Sequence, residues 1–500
     1  LTRVAKPRLD ITLAIDPARA RLWHRTLADD LRRRGHAVAI VLRPGGPKPP
    51  SSVGLLLTFE RLTSRGRCRQ AQGSPWPGAE LAGSAVAEPR DAALEIDLTG
   101  RPPATPSVRT LAPVYGDALV EEAAIATLIG GTAPMIGVRD SAAYGSPLIM
   151  RPGLDAAHRI GRSLDNLGAR LAALLVRAAD TVAQGGTVAG SLPVALRTSD
   201  VWHARDAAGA LTHGVRRLLN RMLAGTPHWY VGWRRTTADR VYDTLAIPRG
   251  GWTRLPDDGR RFYADPFVVA RDGRTWMFVE ELPIATGRGL ISAVELGPDG
   301  PLGAPRPVLE TGGHLSYPFV FERDGQMWMI PESADRRSVE LYRADVFPDR
   351  WVHAATLIQD VPVGDATIVE HGGRLWLFGT VGEGDASSWD ALYLWSSDTL
   401  EGPWRPHGDN PVLMDALGAR PGGAFFHKDG ALWRPAQDCT TGYGAGLALC
   451  RVTKLDDEGF AQEIAAVLRP GGADWPGTGL HSLNWAAGIE VVDGCQDRRR

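Results

Sequence analysis

The stretch Asp265-Pro-Phe-Val-Val-Ala-Arg-Asp272-Gly-Arg-Thr-Trp276-Met-Phe-Val-Glu280 decides how this chain is read. Two short apolar-aromatic runs flank Asp272-Gly273, and Asp-Gly between two such runs is the strongest short-range hairpin signal. The same design returns as Tyr317-Pro-Phe-Val-Phe-Glu-Arg-Asp324-Gly-Gln-Met-Trp328-Met-Ile-Pro-Glu332. It returns again as Asp365-Ala-Thr-Ile-Val-Glu-His-Gly372-Gly-Arg-Leu-Trp376-Leu-Phe-Gly-Thr380, and as Gly422-Gly-Ala-Phe-Phe-His-Lys-Asp429-Gly-Ala-Leu-Trp433-Arg-Pro-Ala-Gln437. In every copy the turn follows the first position by seven residues, the Trp follows the turn by four, and the last position follows it by eight. The turns at 272, 324, 372 and 429 are 48 to 57 residues apart, a period that marks a β-propeller with one four-stranded sheet per blade. A weaker copy is read around Asp493-Gly494, with Leu480–Trp485 before it, and Trp229–Trp233 is placed as the strand that closes the ring. The expectation is an all-β five-bladed propeller over residues 226–495. Its second hairpins are expected at Ile291–Leu296, Val339–Arg343, Leu392–Ser396 and Gly446–Val452.

Repeat logic separates scaffold from site. A position that only supports packing looks alike in every blade, so the shared Trp is read as inter-blade packing. The first position reads Asp265, Tyr317, Asp365, Gly422, and the last reads Glu280, Glu332, Thr380, Gln437. These positions are polar and differ between blades. Antiparallel strands bring them to one rim of the central funnel. Paired carboxylates are the usual chemistry for glycosidic bonds, one protonating the leaving oxygen and the other activating water or attacking carbon. The expected catalytic residues are Asp265, Glu332 and Asp365. The expected substrate-binding residues are Glu280, Tyr317, Arg420, Gln437, Asp438, His481 and Asn484. Each has a plain structural alternative: Asp265 before Pro266 suits a turn, Glu332 after Pro331 suits a strand end, and a lone His is more often a satisfied hydrogen-bonding residue than a ligand. No metal and no cofactor is expected.

The first 200 residues read differently. Leu9–Ile15 is an apolar strand, and Arg19–Arg34 has helical period with Leu22, Trp23, Leu27 and Leu31 on one face. Gly35 stops that helix, and Ala37–Leu42 is a second strand. This is a βαβ unit, which implies a parallel sheet. Further strands are expected at Ala93–Leu98 and Met135–Val138, with helices at Asp117–Ile129 and Leu164–Val182. A helical linker over 201–225, built on Ala204–Leu223, leads to the propeller. The 500 residues, 44% hydrophobic and 23% charged, suit soluble domains. A net charge of −1 gives no basic excess for nucleic acid or an anionic membrane. No apolar run is long enough for a signal peptide or a membrane span, and none of the four cysteines forms a CxxC pair. A cytoplasmic location with reduced thiols is expected.

Three resemblances join this reading. The blade opening Tyr263-Ala-Asp265-Pro266 resembles the first blade of five-bladed furanosidase-type glycoside hydrolases. That resemblance implies a base or nucleophile at Asp265, with Asp365 and Glu332 nearest to the tuning Asp and the acid. The strings His314-Leu-Ser-Tyr-Pro-Phe-Val-Phe-Glu322, Met329-Ile-Pro-Glu-Ser333, Gly402-Pro-Trp-Arg-Pro-His407, Ala419-Arg-Pro-Gly-Gly423 and Arg434-Pro-Ala-Gln-Asp438 look like the N-terminal propeller domain of the glucosamine inositolphosphorylceramide transferase family. This implies a carbohydrate or other sugar-containing ligand, in polysaccharide or glycolipid assembly. The alternative is a non-catalytic glycan or nucleotide-sugar module serving a partner glycosyltransferase; a protein–protein scaffold is a third reading. The first 200 residues resemble the formyltransferase fold through the βαβ unit and Asp97-Leu-Thr-Gly100. That family's catalytic Asn, His-x-Ser-Leu-Leu-Pro stretch and downstream Asp are not found, so an inactive domain is expected.

Overall fold

The computed structural model describes residues 7–45, 51–63, 72–86, 92–101, 108–130, 132–143, 147–154, 159–189, 226–236, 239–248, 250–470 and 477–498. The chain forms two compact units: residues 1–220 with 383–387, and residues 221–382 with 388–500.

The first unit is α/β. Asp10–Ile15 runs parallel to Ala37–Leu42 on one side and to Leu94–Leu98 on the other, and Leu94–Leu98 runs parallel to Thr110–Tyr115. The helix Leu22–Arg33 makes the expected crossover and buries Trp23, Leu27 and Leu31. Ile136–Asp140 and Leu148–Met150 then add antiparallel, so the six-stranded sheet is parallel over four strands and mixed at one edge. The helix Glu121–Ile129 lies between Thr110–Tyr115 and Ile136–Asp140, yet these two strands pair antiparallel, so that helix makes no parallel crossover. The 24-residue helix Ile160–Ala183 buries Leu164, Leu167, Leu171, Leu174 and Leu175. The linker expected over 201–225, with its helix at Ala204–Leu223, lies outside the described residues. Among the described residues no helix is long and apolar enough to cross a membrane.

The second unit is a five-bladed propeller. Blade one comprises Arg261–Arg271, Arg274–Pro283 and Leu290–Gly297, with Gly300–Pro301 and Arg306–Leu309 outside. Blade two is Ser316–Arg323, Gln326–Glu332, Ser338–Val346 and Arg350–Gln359. Blade three is Val363–His371, Arg374–Val381 and Ala391–Ser397, with Arg405–Pro406 and Leu413–Met414 both paired to its third strand. Blade four is Phe426–Lys428, Ala431–Asp438, Gly446–Asp456 and Gly459–Leu468. The expected second hairpins fall on the third strands of these four blades.

Blade five joins chain segments from both ends of the unit. Leu483–Ala486 pairs with Ile489–Arg498, which pairs in turn with Thr226–Arg235, so Trp229–Trp233 does close the ring. The hairpin turn of this blade is Ala487-Gly488, both in the left-handed region, and not Asp493-Gly494. Asp493 sits inside Ile489–Arg498, fully buried, and accepts hydrogen bonds there instead of turning the chain.

Two of the four repeated Trp residues, Trp276 and Trp376, pack between blades. Trp276 lies in one core with Val320, Met327, Tyr342 and Trp351 of blade two, and Trp376 lies with Leu432 and Leu455 of blade four. Alternation along each strand sends these side chains into the inter-blade core and leaves the strand ends to build the funnel.

Candidate functional site

The funnel side chains are aimed by a backbone irregularity repeated in three blades. Asp265, Tyr317 and Asp365, the first positions of the repeat, have φ of 47°, 43° and 54°. At each the ladder slips: Asp265-Pro266 lies opposite Val279, Tyr317-Pro318 opposite Pro331, and Asp365-Ala366 opposite Gly379. Two residues facing one is a β-bulge, which re-aims a side chain at the rim of a sheet. A non-glycine residue in the left-handed region is costly, and a bulky one such as Tyr most of all. Pro331 suits the bulge because it has no N–H to leave unpaired.

The N–H groups turned out by the bulges are taken by side chains of other blades. Asp265 donates its N–H to Asp493 Oδ2 (3.2 Å), Tyr317 to Asp265 Oδ2 (3.1 Å) and Asp365 to Glu332 Oε2 (2.9 Å). Each carboxyl thus accepts from the next blade around the ring, from five to one, one to two and two to three. Gly423 donates its N–H to the Tyr317 hydroxyl (2.8 Å), which also meets Thr367 Oγ1 (3.0 Å). Tyr317 therefore ties blade two to blades three and four, and its ring is fully buried against Phe267.

Two charged networks follow. In the first, Arg420 gives Nε to Asp365 Oδ2 (2.6 Å) and Nη2 to Asp365 Oδ1 (3.2 Å) and to Glu332 Oε2 (3.3 Å). Gln437 Nε2 adds a bond to Asp365 Oδ2 (2.6 Å). Four residues singled out from the repeat and its surroundings, Glu332, Asp365, Arg420 and Gln437, are thus brought together. Burial alone pushes Glu332 upward, but the Arg420 guanidinium and the Asp365 amide outweigh it and hold the carboxyl below its ordinary range.

In the second network His481 lies between two carboxylates, with Nε2 2.9 Å from Asp265 Oδ1 and Nδ1 2.8 Å from Asp493 Oδ2. Burial opposes charge on the imidazole, but Asp493 and Asp265 on either side raise its pKa well above the usual value. Asp265, His481 and Asp493 are also the described residues whose ligand atoms, all within 4.8 Å of one another, are disposed to hold a metal ion.

Glu280 is the least satisfied of the carboxyls. Its contact is to His314, whose Nε2 lies 3.4 Å from Oε1 while its Nδ1 accepts the Gly289 N–H. A Cβ on Gly289 would stand 2.8 Å from Glu280 Oε1, so glycine leaves the room this pair occupies. Burial first, and the nearby Asp265 second, push Glu280 well above its ordinary value of 4.5. A raised acid opposes folding once pH exceeds the unfolded value, so Glu280→Gln is expected to stabilise the chain by about 1–2 kcal/mol at pH 7 and by little at pH 4. Urea denaturation at both pH values checks this, and a loss of stability at pH 7 would show that the fold needs the carboxylate.

Two expected residues bond within the fold. Asn484 accepts from the Ala424 N–H and donates to Pro266 O, and Asp438 caps Thr440 and pairs with Arg469. The structure adds residues that the repeat columns did not contain: His314, Asp493 and an aromatic rim. Trp229 and Tyr443 lie against His481, with ring centroids 4.2 and 5.0 Å away. Tyr443 also covers the Arg420 guanidinium at 5.4 Å and meets Trp389 at 5.7 Å. Tyr443 is 40% exposed, and Trp229 and Trp389 are half-buried. Tyr443 follows a Thr-Thr-Gly loop outside the repeat, so no periodic signal marked it.

In the first unit, Leu98 and Tyr115 at the ends of Leu94–Leu98 and Thr110–Tyr115 line a cavity of about 30 Å³ with Arg19, Arg21 and His24, room for one water. Arg19 and Arg21 pair with Glu122 and Glu121 at 3.0 and 2.7 Å, and burial lowers His24 to about 3.

Comparison with known proteins places the likeness in the propeller. Residues 256–486 match the family described as "Glucosamine inositolphosphorylceramide transferase 1, N-terminal". The glucosamine inositolphosphorylceramide transferase 1 of Arabidopsis thaliana is 34% identical over 246 residues, 47% of this chain and 32% of that protein. Its counterpart in Oryza sativa subsp. japonica is 33% identical over 250 residues, 47% of this chain and 33% of that protein. The chain thus spans about a third of the length of these relatives. Among solved structures, a family 117 glycoside hydrolase produced by the marine bacterium Zobellia galactanivorans aligns over 54% of this chain and 90% of its own, with 15% identity and a TM-score of 0.34. A thermostable family-43 glycoside hydrolase aligns over 51% and 96%, with 14% identity and a TM-score of 0.33.

Proposed function

We propose that the propeller funnel binds a glycosyl group, either to act on it or to hold it for a partner glycosyltransferase. The carrying observation is the juxtaposition of the half-open aromatics Trp229 and Tyr443 with a buried network of carboxyls, Arg420 and His481. Aromatic faces suit the apolar face of a sugar ring, and fixed polar groups suit its hydroxyls. The plant relatives, named for glucosamine inositolphosphorylceramide transfer, support a carbohydrate-related role. The reading extends to polysaccharide or glycolipid assembly and to an inactive, formyltransferase-like first unit. It also includes a reducing, cytoplasmic setting, which the free buried thiols of Cys439 and Cys450 favour.

One observation favours catalysis over binding alone. Glu280 is pushed up while Glu332 is held down, and carboxyls driven apart in this way commonly serve as acid and base. In that case Glu280 is the candidate acid and Glu332 a candidate base, while Asp265 is the base or nucleophile that the glycoside-hydrolase resemblance implies and Asp365, held by Arg420 and Gln437, a positioning residue.

The test is calorimetric binding and product release, measured together on aryl glycosides and nucleotide sugars. Binding is expected in wild type and is expected to weaken about tenfold in Tyr443→Ala. If the site is catalytic, wild type releases product and Asp265→Asn binds without release. If it is a binding module, both bind and neither releases. Absence of binding and of release in wild type would rule the proposal out.

A further inference from the structure

The inventory of open polar atoms in the funnel narrows its ligand. Among the described residues, five carboxyl groups gather there: Asp265, Glu280, Glu332, Asp365 and Asp493. Against them stand the Arg420 guanidinium and the His481 imidazole, with His314 at the edge. Both buried cations are engaged within the network. His481 is flanked on both nitrogens, and Arg420 is bracketed by Asp365 and Glu332.

Two buried polar atoms beside this network, an amide oxygen and a hydroxyl, have no hydrogen-bond partner among the described residues. Gln437 points Nε2 at two acceptors, Asp365 Oδ2 at 2.6 Å and Pro421 O at 2.9 Å, which fixes the amide orientation. Its fully buried Oε1 has no hydrogen-bond partner. The Thr380 hydroxyl, also fully buried and able to donate or accept, has none either, and it stands with Glu332 Oε2 and Arg420 Nη1 around Gly364, each within 3.5 Å of where a Cβ on that glycine would lie. Glu332, 16% exposed at its side chain, offers a further carboxylate acceptor. Buried acceptors without donors are costly, and a donor-rich ligand relieves that cost. An uncharged saccharide brings hydroxyl donors on most of its ring carbons. A phosphate or a carboxylate brings acceptors and a negative charge to a site already rich in both.

Resting on the glycosyl-binding reading above, we propose that the funnel selects an uncharged saccharide and rejects phosphorylated, uronic and nucleotide-linked sugars. The two arginine-held carboxylates prevent Arg420 from serving as a phosphate clamp, and the aromatic rim needs no charge on its partner.

The experiment uses the full chain and three matched series, built on glucose, galactose and xylose. Each series comprises the methyl glycoside, the uronate where one exists, the sugar 1-phosphate and the uridine diphosphate sugar. Calorimetry is run at low and at physiological salt. In the series that binds, the neutral member is expected to bind about tenfold or more tighter than its charged relatives, with the gap widest at low salt. Glu332→Gln, which removes one negative charge, is expected to narrow that gap. A charged member binding as tightly as the neutral one, or a gap unchanged by salt and by Glu332→Gln, overturns the selectivity while leaving carbohydrate binding intact. Binding by no member of any series would instead remove the glycosyl reading, and the selectivity with it.

Discussion

Replacing Arg420 by alanine is expected to destabilise the propeller by about 3–5 kcal/mol, the range for removing one partner of a buried ion pair. Arg420 holds Asp365 through two bonds and Glu332 through a third, and the side chains of Asp365 and Arg420 are 3% and 8% exposed. Alanine would leave two carboxyls buried with Gln437 as the main remaining donor. The effect depends on pH. Glu332 has a lowered folded pKa, so its contribution is present above its unfolded value of 4.5 and fades as pH falls through the folded value. The penalty of Arg420→Ala is therefore expected to be full at pH 7 and smaller near pH 3. Urea denaturation of wild type, Arg420→Ala and Arg420→Lys measures it, with Lys keeping the charge but losing the two-pronged geometry. A penalty under about 1 kcal/mol at pH 7 would mean that the network is not structural.

Asp493→Ala should be comparably severe, at about 3–5 kcal/mol. This one carboxylate accepts from the backbone N–H groups of His481 (2.8 Å), Ser482 (3.0 Å) and Asp265 (3.2 Å) and from Ser482 Oγ (2.8 Å), and it flanks His481 Nδ1. All these groups are buried, so alanine strands several donors and one imidazolium at once. His481 has a raised folded pKa, so the stability it contributes is present below its unfolded value of 6.5 and is lost as pH rises through the folded value. Without Asp493 one of its two carboxylates is gone and that upper limit moves down. Proton NMR titration of His481 together with urea denaturation checks both effects. An unchanged His481 titration in a stable variant would show that Asp493 does not hold the imidazole.

Both side chains illustrate how far the chain could be read without its fold. Asp365, Glu332 and Gln437 stood out because they occupy equivalent columns of a repeat and differ from blade to blade. That Arg420 and Gln437 grip Asp365, and that Asp493 and His481 grip Asp265, was not visible. Those partners come from other blades and share no common spacing with them. Asp493 was misread because Asp-Gly is a turn signal in the other blades, whereas here it lies in a strand and the turn is Ala487-Gly488. Tyr443 and Trp389 come from loops outside the repeat. The mixed edge of the first unit's sheet is not legible either: Met135–Val138 reads as a strand, but no local pattern records that Ile136–Asp140 pairs antiparallel, and a strand as short as Leu148–Met150 carries almost no pattern.

What the sequence by itself determined was the ring of blades, their hairpins, the closing strand and, at Trp276 and Trp376, the Trp that packs between blades. These follow from local alternation and turn chemistry repeated at a steady period, and a nearest-neighbour pattern is written along the chain. Only the tertiary structure decided which polar residues meet. The left-handed bulges at Asp265, Tyr317 and Asp365 depend on cross-strand register, and the carboxyl networks depend on five blades converging on one axis. Both are contacts between segments tens to hundreds of residues apart, and no local pattern records them.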